Sequence, residues 1–163
     1  MEVRGLIRSD LRAIKDIDST KDNMFELAPM IENDCYFLEE VESDYAFGAF
    51  IDNRLIGYCT IGGADVIDDE PAITEDPKYK PYHDLLLSDV YILPEYRNNG
   101  YGSRMVEEAI KIKQELEPDA NNIYLTVMDE NLGRFYQKIG FSWVDETDHF
   151  YMAKELDEKG IDL

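Results

Sequence analysis

The run LLLSDVYILPEYRNNGYGSRMVEEAIKIKQELEPDANNIYLTVM, Leu85 to Met128, constrains the fold more than any other part of the chain. LLLSDVYILP has the continuous apolar character of a strand covered on both faces, and Pro94 ends it. Met105, Val106, Ala109, Ile110 and Leu116 recur at helical spacing, which predicts an amphipathic helix over Gly100–Leu116 that stops at Pro118. NIYLTVM then supplies a second strand. Strand, glycine turn, helix and strand in this order form a βαβ crossover, so the sheet must contain a parallel pair. A ligand is expected at the C-terminal end of its first strand.

The flanking sequence adds antiparallel material. EVRGLIRSD predicts a short strand with Val3, Gly5 and Ile7 on one face, followed by a helix capped by Ser9 or Asp10 and carrying Leu11, Ile14 and Ile17. From Asn23 to Ser43, the residues Leu27, Met30, Ile31, Cys35, Leu38 and Val41 keep helical spacing, with Pro29 in a tolerated first-turn position. AFGAFIDNRLIGYCTI is a β-hairpin turning at Asp52 and Asn53, because asparagine accepts a left-handed backbone. Between Gly62 and Asp84 the pattern dissolves into a long loop with six acids and no bases from Asp65 to Asp76. A short helix carries Leu132, Phe135, Tyr136 and Ile139 and ends at Gly140. FSWVDET and HFYMAKEL close the chain as two antiparallel strands. No repeat and no compositional boundary divides residues 1–163, which read as one α/β domain.

Charge narrows the partners. The chain carries 36 acidic against 16 basic residues, a net charge of −20, which argues against a general grip on nucleic acid or an anionic membrane. The acids serve as a solvated surface or favour a cationic partner. Cys35 and Cys59 lie in apolar settings and read as buried free thiols. No apolar run approaches the ~20 residues of a membrane span. The N-terminus lacks the cationic start and apolar stretch of a signal peptide, so the protein reads as cytoplasmic. Two histidines and two scattered cysteines give no metal-ligand spacing, and no metal site is expected.

The turn Arg97-Asn98-Asn99-Gly100-Tyr101-Gly102 decides what the crossover binds. A dinucleotide fingerprint fails because Met105 stands where a third glycine is needed, and the Gly-Lys-Ser/Thr of a triphosphate loop is absent. What remains is a helix N-terminus whose glycines let backbone N–H groups approach an anion, aided by Arg97 and Arg104. The global negative charge is damped over roughly 8 to 10 Å by salt, so these near donors dominate.

This turn, following a strand that ends Tyr-Ile-Leu-Pro-Glu-Tyr and preceding LTVMDENLGRFYQKIGF, resembles the GNAT superfamily of N-acetyltransferases. The resemblance covers Leu86 to Phe141. It implies a single GNAT-like domain with a mixed, mostly antiparallel sheet, a central βαβ crossover and flanking helices. It further implies that Arg97, Asn98, Asn99, Gly100, Tyr101, Gly102 and Ser103 hold the pyrophosphate of acetyl coenzyme A. The backbone of Val90, Tyr91 and Ile92 would pair with the pantetheine arm like an added strand. An N–H near Val90 or Tyr91 would polarise the acetyl carbonyl. Tyr136 aligns with the tyrosine that protonates the departing thiolate; on the residues alone it reads as a core aromatic of the stripe Leu132, Phe135, Tyr136 and Ile139.

Two places depart from the family pattern. Asp129 stands where relatives carry an asparagine that contacts the cofactor; Asp129 takes that contact, Asn131 takes it, or both cap the helix. Tyr124 replaces a glutamate that some relatives use as base. Asp89, on the face of Leu87 and Tyr91 by strand alternation, is ranked first as the general base, ahead of Ser88, His83, Asp84 and His149. The resulting expectation is transfer of acetyl from acetyl-CoA to a primary amine, a small molecule or a peptide, by direct attack. The rival is a non-catalytic acyl-CoA sensor. The acceptor is not read from the sequence, and a homodimer is left open.

Overall fold

The structure, a computed structural model, describes residues 1–21, 25–33, 41–63, 84–145, 147 and 150–156. By packing, the chain divides into two units, residues 1–60 with 89–112, and residues 61–88 with 113–163.

In the first unit, strands β1 (Glu2–Gly5), β2 (Ala46–Ile51) and the start of β3 (Arg54–Gly63) form an antiparallel ladder. Asp52 and Asn53 both take positive φ, 49° and 63°, the pair of left-handed residues a tight hairpin requires. Before the hairpin the described residues form α1 (Leu11–Asp18) and α2 (Ala28–Asn33). Leu6, Ile14, Ile17, Leu27, Ile31, Phe50, Leu55 and Tyr58 make a common core. Asp10 is the N-cap of α1 as predicted, but its side chain makes no capping bond to that helix. Its two oxygens grip the Arg4 guanidinium at 2.9 and 3.0 Å and accept from the Ile7 N–H, a stronger, charge-assisted alternative. The second predicted helix is described only over Ala28–Asn33; Val41 lies beyond it and is exposed, while Cys35 and Leu38 lie outside the described residues.

Strand β4 (Leu85–Ile92) passes through both units. In the first, the Leu93 N–H donates to the Ile56 carbonyl at 2.8 Å, and Gly57 lies so near Tyr91 that a Cβ there would clash with its carbonyl oxygen. Helix α3 (Tyr101–Leu116) turns Met105, Val106, Ala109 and Ile110 inward as its pattern predicts. Leu116, read as inward, is exposed, because it occupies the helix's last position.

In the second unit, β4 pairs in parallel with β5 (Asn122–Thr126) through Leu85↔Ile123 and Leu86↔Tyr124. This is the crossover expected from the sequence. Strand β5 continues antiparallel to β7 (Tyr151–Glu155), and β7 to β6 (Ser142–Trp143). The strand order is therefore β1-β2-β3-β4-β5-β7-β6, with β4 and β5 parallel in a mixed, mostly antiparallel sheet of α/β class. Helix α4 (Glu130–Lys138) ends as predicted at Gly140, φ 98°. Its Leu132, read as part of an apolar stripe with Phe135, Tyr136 and Ile139, is exposed. Of the long loop, residues 64–83 lie outside the described residues, and with them His83 and the acidic run; His149 does too.

Candidate active site

In the first unit the chain leaves β4 through one 3-10 turn, Pro94–Tyr96, and enters α3 by a bend with two left-handed residues, Asn98 (φ 63°) and Gly100 (φ 79°). Asparagine and glycine are the residues that take this conformation at least cost. The Asn99 amide donates to the Arg97 carbonyl at 3.0 Å and closes the bend. Helical bonding begins with the Arg104 N–H on the Gly100 carbonyl, at 3.2 Å, so the N–H groups just upstream have no intrahelical acceptor. Arg97 to Gly100 are exposed, Tyr101 to Ser103 half-buried, and a side chain at Gly100 would meet nothing within 4 Å. Chemically this is an open set of donors at the positive end of a 16-residue helix. Arg97 is partly committed: its Nε donates to the Ile92 carbonyl at 2.9 Å, and its guanidinium lies 5.1 Å from the Tyr91 ring centroid.

Upstream, β4 is broken in the middle. Asp89 takes φ 55°, which interrupts strand alternation, so the facing read from a regular strand does not carry past this residue. From Ser88 to Tyr91 the strand is only half-buried, against the fully covered strand read from its composition. Ile92 is buried, and Val90 and Tyr91 are half-buried.

The Asp89 carboxylate accepts from the Thr60 hydroxyl at 3.0 Å. Burial raises its pKa above the ordinary carboxylate value, opposed by the Thr60 hydrogen bond and by Lys21. Next to it in the sheet, buried Cys59 has its thiol pushed up to about 12 by burial and by Asp89. Around Lys21 a denser cluster forms. Asp18, buried on α1, accepts the Tyr58 hydroxyl at 2.5 Å and, through its other oxygen, the Ala28 N–H at 2.8 Å. Tyr58 in turn accepts from the Lys21 ammonium, which also donates to the Phe25 carbonyl at 3.0 Å. The ammonium lies 4.3 Å from the Tyr58 ring centroid and 4.8 Å from that of Tyr91. The Tyr91 hydroxyl shares a hydrogen bond with that of Thr20, at 2.8 Å. Burial lowers the Lys21 pKa while Asp18, Asp89 and Glu26 raise it, and burial with the Asp18 bond drives the Tyr58 phenol above its ordinary value.

The second unit carries the remaining sequence candidates. Asp129 is the N-cap of α4, and its side chain accepts from the Asn131 N–H at 2.8 Å, the capping role. Tyr136 is half-buried, with its ring set edge-on to Phe135 and Phe141 at 5.0 and 5.8 Å between centroids. Tyr124, in the position of a family base, is 1% exposed in the interior. Asp84 is buried, its Oδ1 accepting from the Asn122 N–H at 3.0 Å, and its pKa is raised chiefly by burial. Both are thus part of the core around the start of β5. Among the described residues, no group of three or more His, Cys, Asp and Glu could hold a metal ion, and no helix is long and apolar enough to cross a membrane.

The model of the Acetyltransferase (GNAT) family matches residues 10–141, which take in both the turn and the broken strand. The chain belongs to the GNAT family of acetyltransferases. Acyl transfer is that family's general chemistry. Solved structures agree on the fold. A GNAT acetyltransferase from Streptococcus pneumoniae is 18% identical with a TM-score of 0.62, the match covering 96% of this chain and 99% of that one. The PaiA N-acetyltransferase of Thermoplasma acidophilum, solved with coenzyme A, is 20% identical with a TM-score of 0.60, covering 95% and 98%. The ribosomal-protein-S18-alanine N-acetyltransferase of Escherichia coli is 12% identical with a TM-score of 0.64, covering 99% and 97%. No curated protein sequence matches the chain.

In this GNAT chain the sequence candidates Asp89 to Ile92 and Arg97 to Ser103 lie on one continuous run of the first unit. Asp18, Lys21, Tyr58 and Thr60 escaped the sequence reading. One signal was available: Asp18 follows Ile14 and Ile17 at the spacing of the inward face of α1, a carboxylate where an apolar residue is expected. Nothing in the sequence tells which phenol or ammonium that carboxylate meets.

Proposed function

We propose that this GNAT protein is an N-acetyltransferase that moves the acetyl group of acetyl-CoA to a primary amine, of a small molecule or a peptide, by direct attack. The observation that carries this reading is the left-handed bend at Asn98 and Gly100, which opens α3 immediately after a strand broken at Asp89. The bend offers N–H donors to the pyrophosphate from Asn98 to Ser103, with the Arg97 side chain beside them because the Arg97 N–H already donates to the Pro94 carbonyl, and Val90 to Ile92 offer backbone to the pantetheine arm. The coenzyme A found in the Thermoplasma PaiA structure supports the choice of cofactor.

The chemistry divides among this chain's own groups. An N–H at Val90 or Tyr91 polarises the thioester carbonyl. The half-buried Asp89 takes a proton from the incoming ammonium, directly or through one water, because its raised pKa makes it a stronger base than an exposed carboxylate. Tyr136 is the proposed donor to the departing thiolate. We assign Asp129 to the helix cap and, with Asn131, only secondarily to the cofactor. Residues 1–163 work as a single catalytic domain, in the cytoplasm.

Thiol release after mixing the protein with acetyl-CoA and a panel of small and peptide amines tests the reading, with CoA affinity measured by calorimetry alongside. Turnover with at least one amine is expected. CoA binding without turnover across the panel would replace the enzyme by an acyl-CoA sensor, and no CoA binding would remove both. Tyr136→Phe should lower turnover far more than cofactor affinity; equal losses would make it a packing residue.

A further inference from the structure

We propose that Lys21 is itself an acetyl acceptor, modified on its own Nζ by acetyl-CoA bound along β4; this rests on the acetyl-CoA reading above. Lys21 follows α1, and its ammonium does not extend into solvent as those of Lys15 and Lys111 do; it is half-buried and held in place. Tyr58 and Phe25 receive two of its N–H groups, and the Tyr58 and Tyr91 rings flank it at 4.3 and 4.8 Å. Aromatic faces with carboxylates behind them form a receptor for an alkylammonium ion. Here the chain fills that receptor with its own side chain. Tyr91 belongs to the stretch assigned to the pantetheine arm, so the amine is stationed beside the segment where a thioester would lie.

The groups that set the amine's ionisation come from every element around it. Asp18 faces it from α1, Glu26 from the segment before α2, Tyr58 from β3, and Asp89 from β4, while the Arg97 guanidinium lies on the same Tyr91 ring. The carboxylates favour the ammonium, burial favours the free amine, and burial is the larger effect, so Lys21 becomes neutral at lower pH than an exposed lysine. In the reaction the ammonium gives one proton to Asp89 or to water. The nitrogen lone pair forms a bond to the acetyl carbon, and the carbon–sulfur bond breaks. CoA leaves as a thiolate that takes up a proton, and the nitrogen sheds one more to solvent. The products are an acetamide on Lys21 and free CoA. The charge at Nζ is lost, and Asp18 and Asp89 then have one cation fewer opposite them.

The test uses the full chain with acetyl-CoA and no added amine, followed by peptide-resolved mass spectrometry over time, at several pH values. Lys21 should gain one acetyl group on the order of tenfold faster than Lys15 or Lys111, which report uncatalysed acetylation of exposed amines, and its rate should rise with pH ahead of theirs. Thiol release without acceptor should stop near one equivalent. Lys21→Arg keeps the charge and most of the packing; with an unchanged melting temperature and unchanged CoA affinity, it should lose that single equivalent. Lys21 modified no faster than Lys111, in a preparation that binds CoA and turns over an added amine, overturns the proposal and leaves the proposed activity standing. A chain that binds no CoA and acquires no acetyl group overturns both.

Discussion

The bend at Arg97–Ser103 and the cluster around Lys21 belong to the same packing unit and follow opposite designs. The bend is built from backbone, exposed from Arg97 to Gly100 and half-buried from Tyr101 to Ser103, and the N–H groups just before Arg104 have no acceptor in the helix they open. The cluster is built from side chains, Asp18, Lys21, Tyr58, Thr60 and Asp89, brought in from two strands and the end of a helix, and most of its polar atoms already satisfy one another. A site that waits for a polyanion can remain unpaired because water solvates it cheaply. A site that moves protons must hold ionisable groups out of water, and it does so only where they neutralise each other. The first design should fail by losing ligand, the second by losing the fold or the chemistry.

The largest expected effect attacks the cluster through Asp18. Asp18→Ala strips the Tyr58 hydroxyl and the Ala28 N–H of their acceptor and takes a counter-charge from Lys21, for a cost of about 3–5 kcal/mol. Chemical denaturation should show it as a lower midpoint with little change in slope. A stability within 1 kcal/mol of the native chain, a difference well below the cost of breaking a buried pair, would mean that the cluster is wetter than its burial implies.

Asp89→Asn separates chemistry from folding within the same cluster. Asparagine tolerates the left-handed backbone at this position, so the broken strand should persist. Turnover should fall about 100-fold if Asp89 is the base. Stability should move the other way. Because burial raises the folded-state pKa of Asp89, its protonated form is favoured on folding; the contribution is full below the unfolded pKa and is lost as pH rises through the folded value. At neutral pH the ionised carboxylate therefore costs stability, and the asparagine variant should melt at the same or a higher temperature. The native turnover should rise with pH through a midpoint above the usual carboxylate range. A variant with full turnover would return the base to a water chain.

Gly100→Val tests the other region. Valine at φ 79° carries backbone strain of roughly 1–2 kcal/mol, and nothing in the protein lies within 4 Å of the added Cβ. The space it fills is open, and if the bend holds the pyrophosphate CoA affinity should drop by roughly 10- to 100-fold, equivalent to about 1.4–2.8 kcal/mol, with only a modest loss of stability. Unchanged affinity, measured by calorimetry, would show that the bend does not hold the pyrophosphate.

These two regions also differ in how far the sequence discloses them. Glycines and asparagines at fixed offsets before an amphipathic helix are local signals, so the bend, the βαβ crossover and the hairpin at Asp52-Asn53 were all legible from consecutive residues. The cluster joins residues about 40 and 70 positions apart, Asp18 to Tyr58 and Thr20 to Tyr91, and no local pattern encodes such meetings. Alternation at Asp89 presumes a regular strand, and nothing in the local pattern announces the positive φ that interrupts β4 there. Helix ends misled in a milder way, since Leu116 and Leu132 keep the apolar spacing where no core remains to receive them.

The smallest effect concerns Asp129, which the family pattern places at the cofactor and the geometry places at a helix end. The Asp129→Ala variant removes the acceptor of the Asn131 N–H and should destabilise the chain by about 1 kcal/mol. Asp129→Asn keeps both a capping oxygen and the family's usual side chain. If capping is the whole role, alanine lowers the melting temperature, asparagine does not, and CoA affinity is the same in all three proteins. If the residue contacts the cofactor, asparagine should bind CoA more tightly than aspartate, because it removes a negative charge from the neighbourhood of a pyrophosphate while retaining a hydrogen-bonding side chain. Calorimetry at two salt concentrations distinguishes these outcomes, since a charge effect shrinks as ionic strength rises and a cap does not.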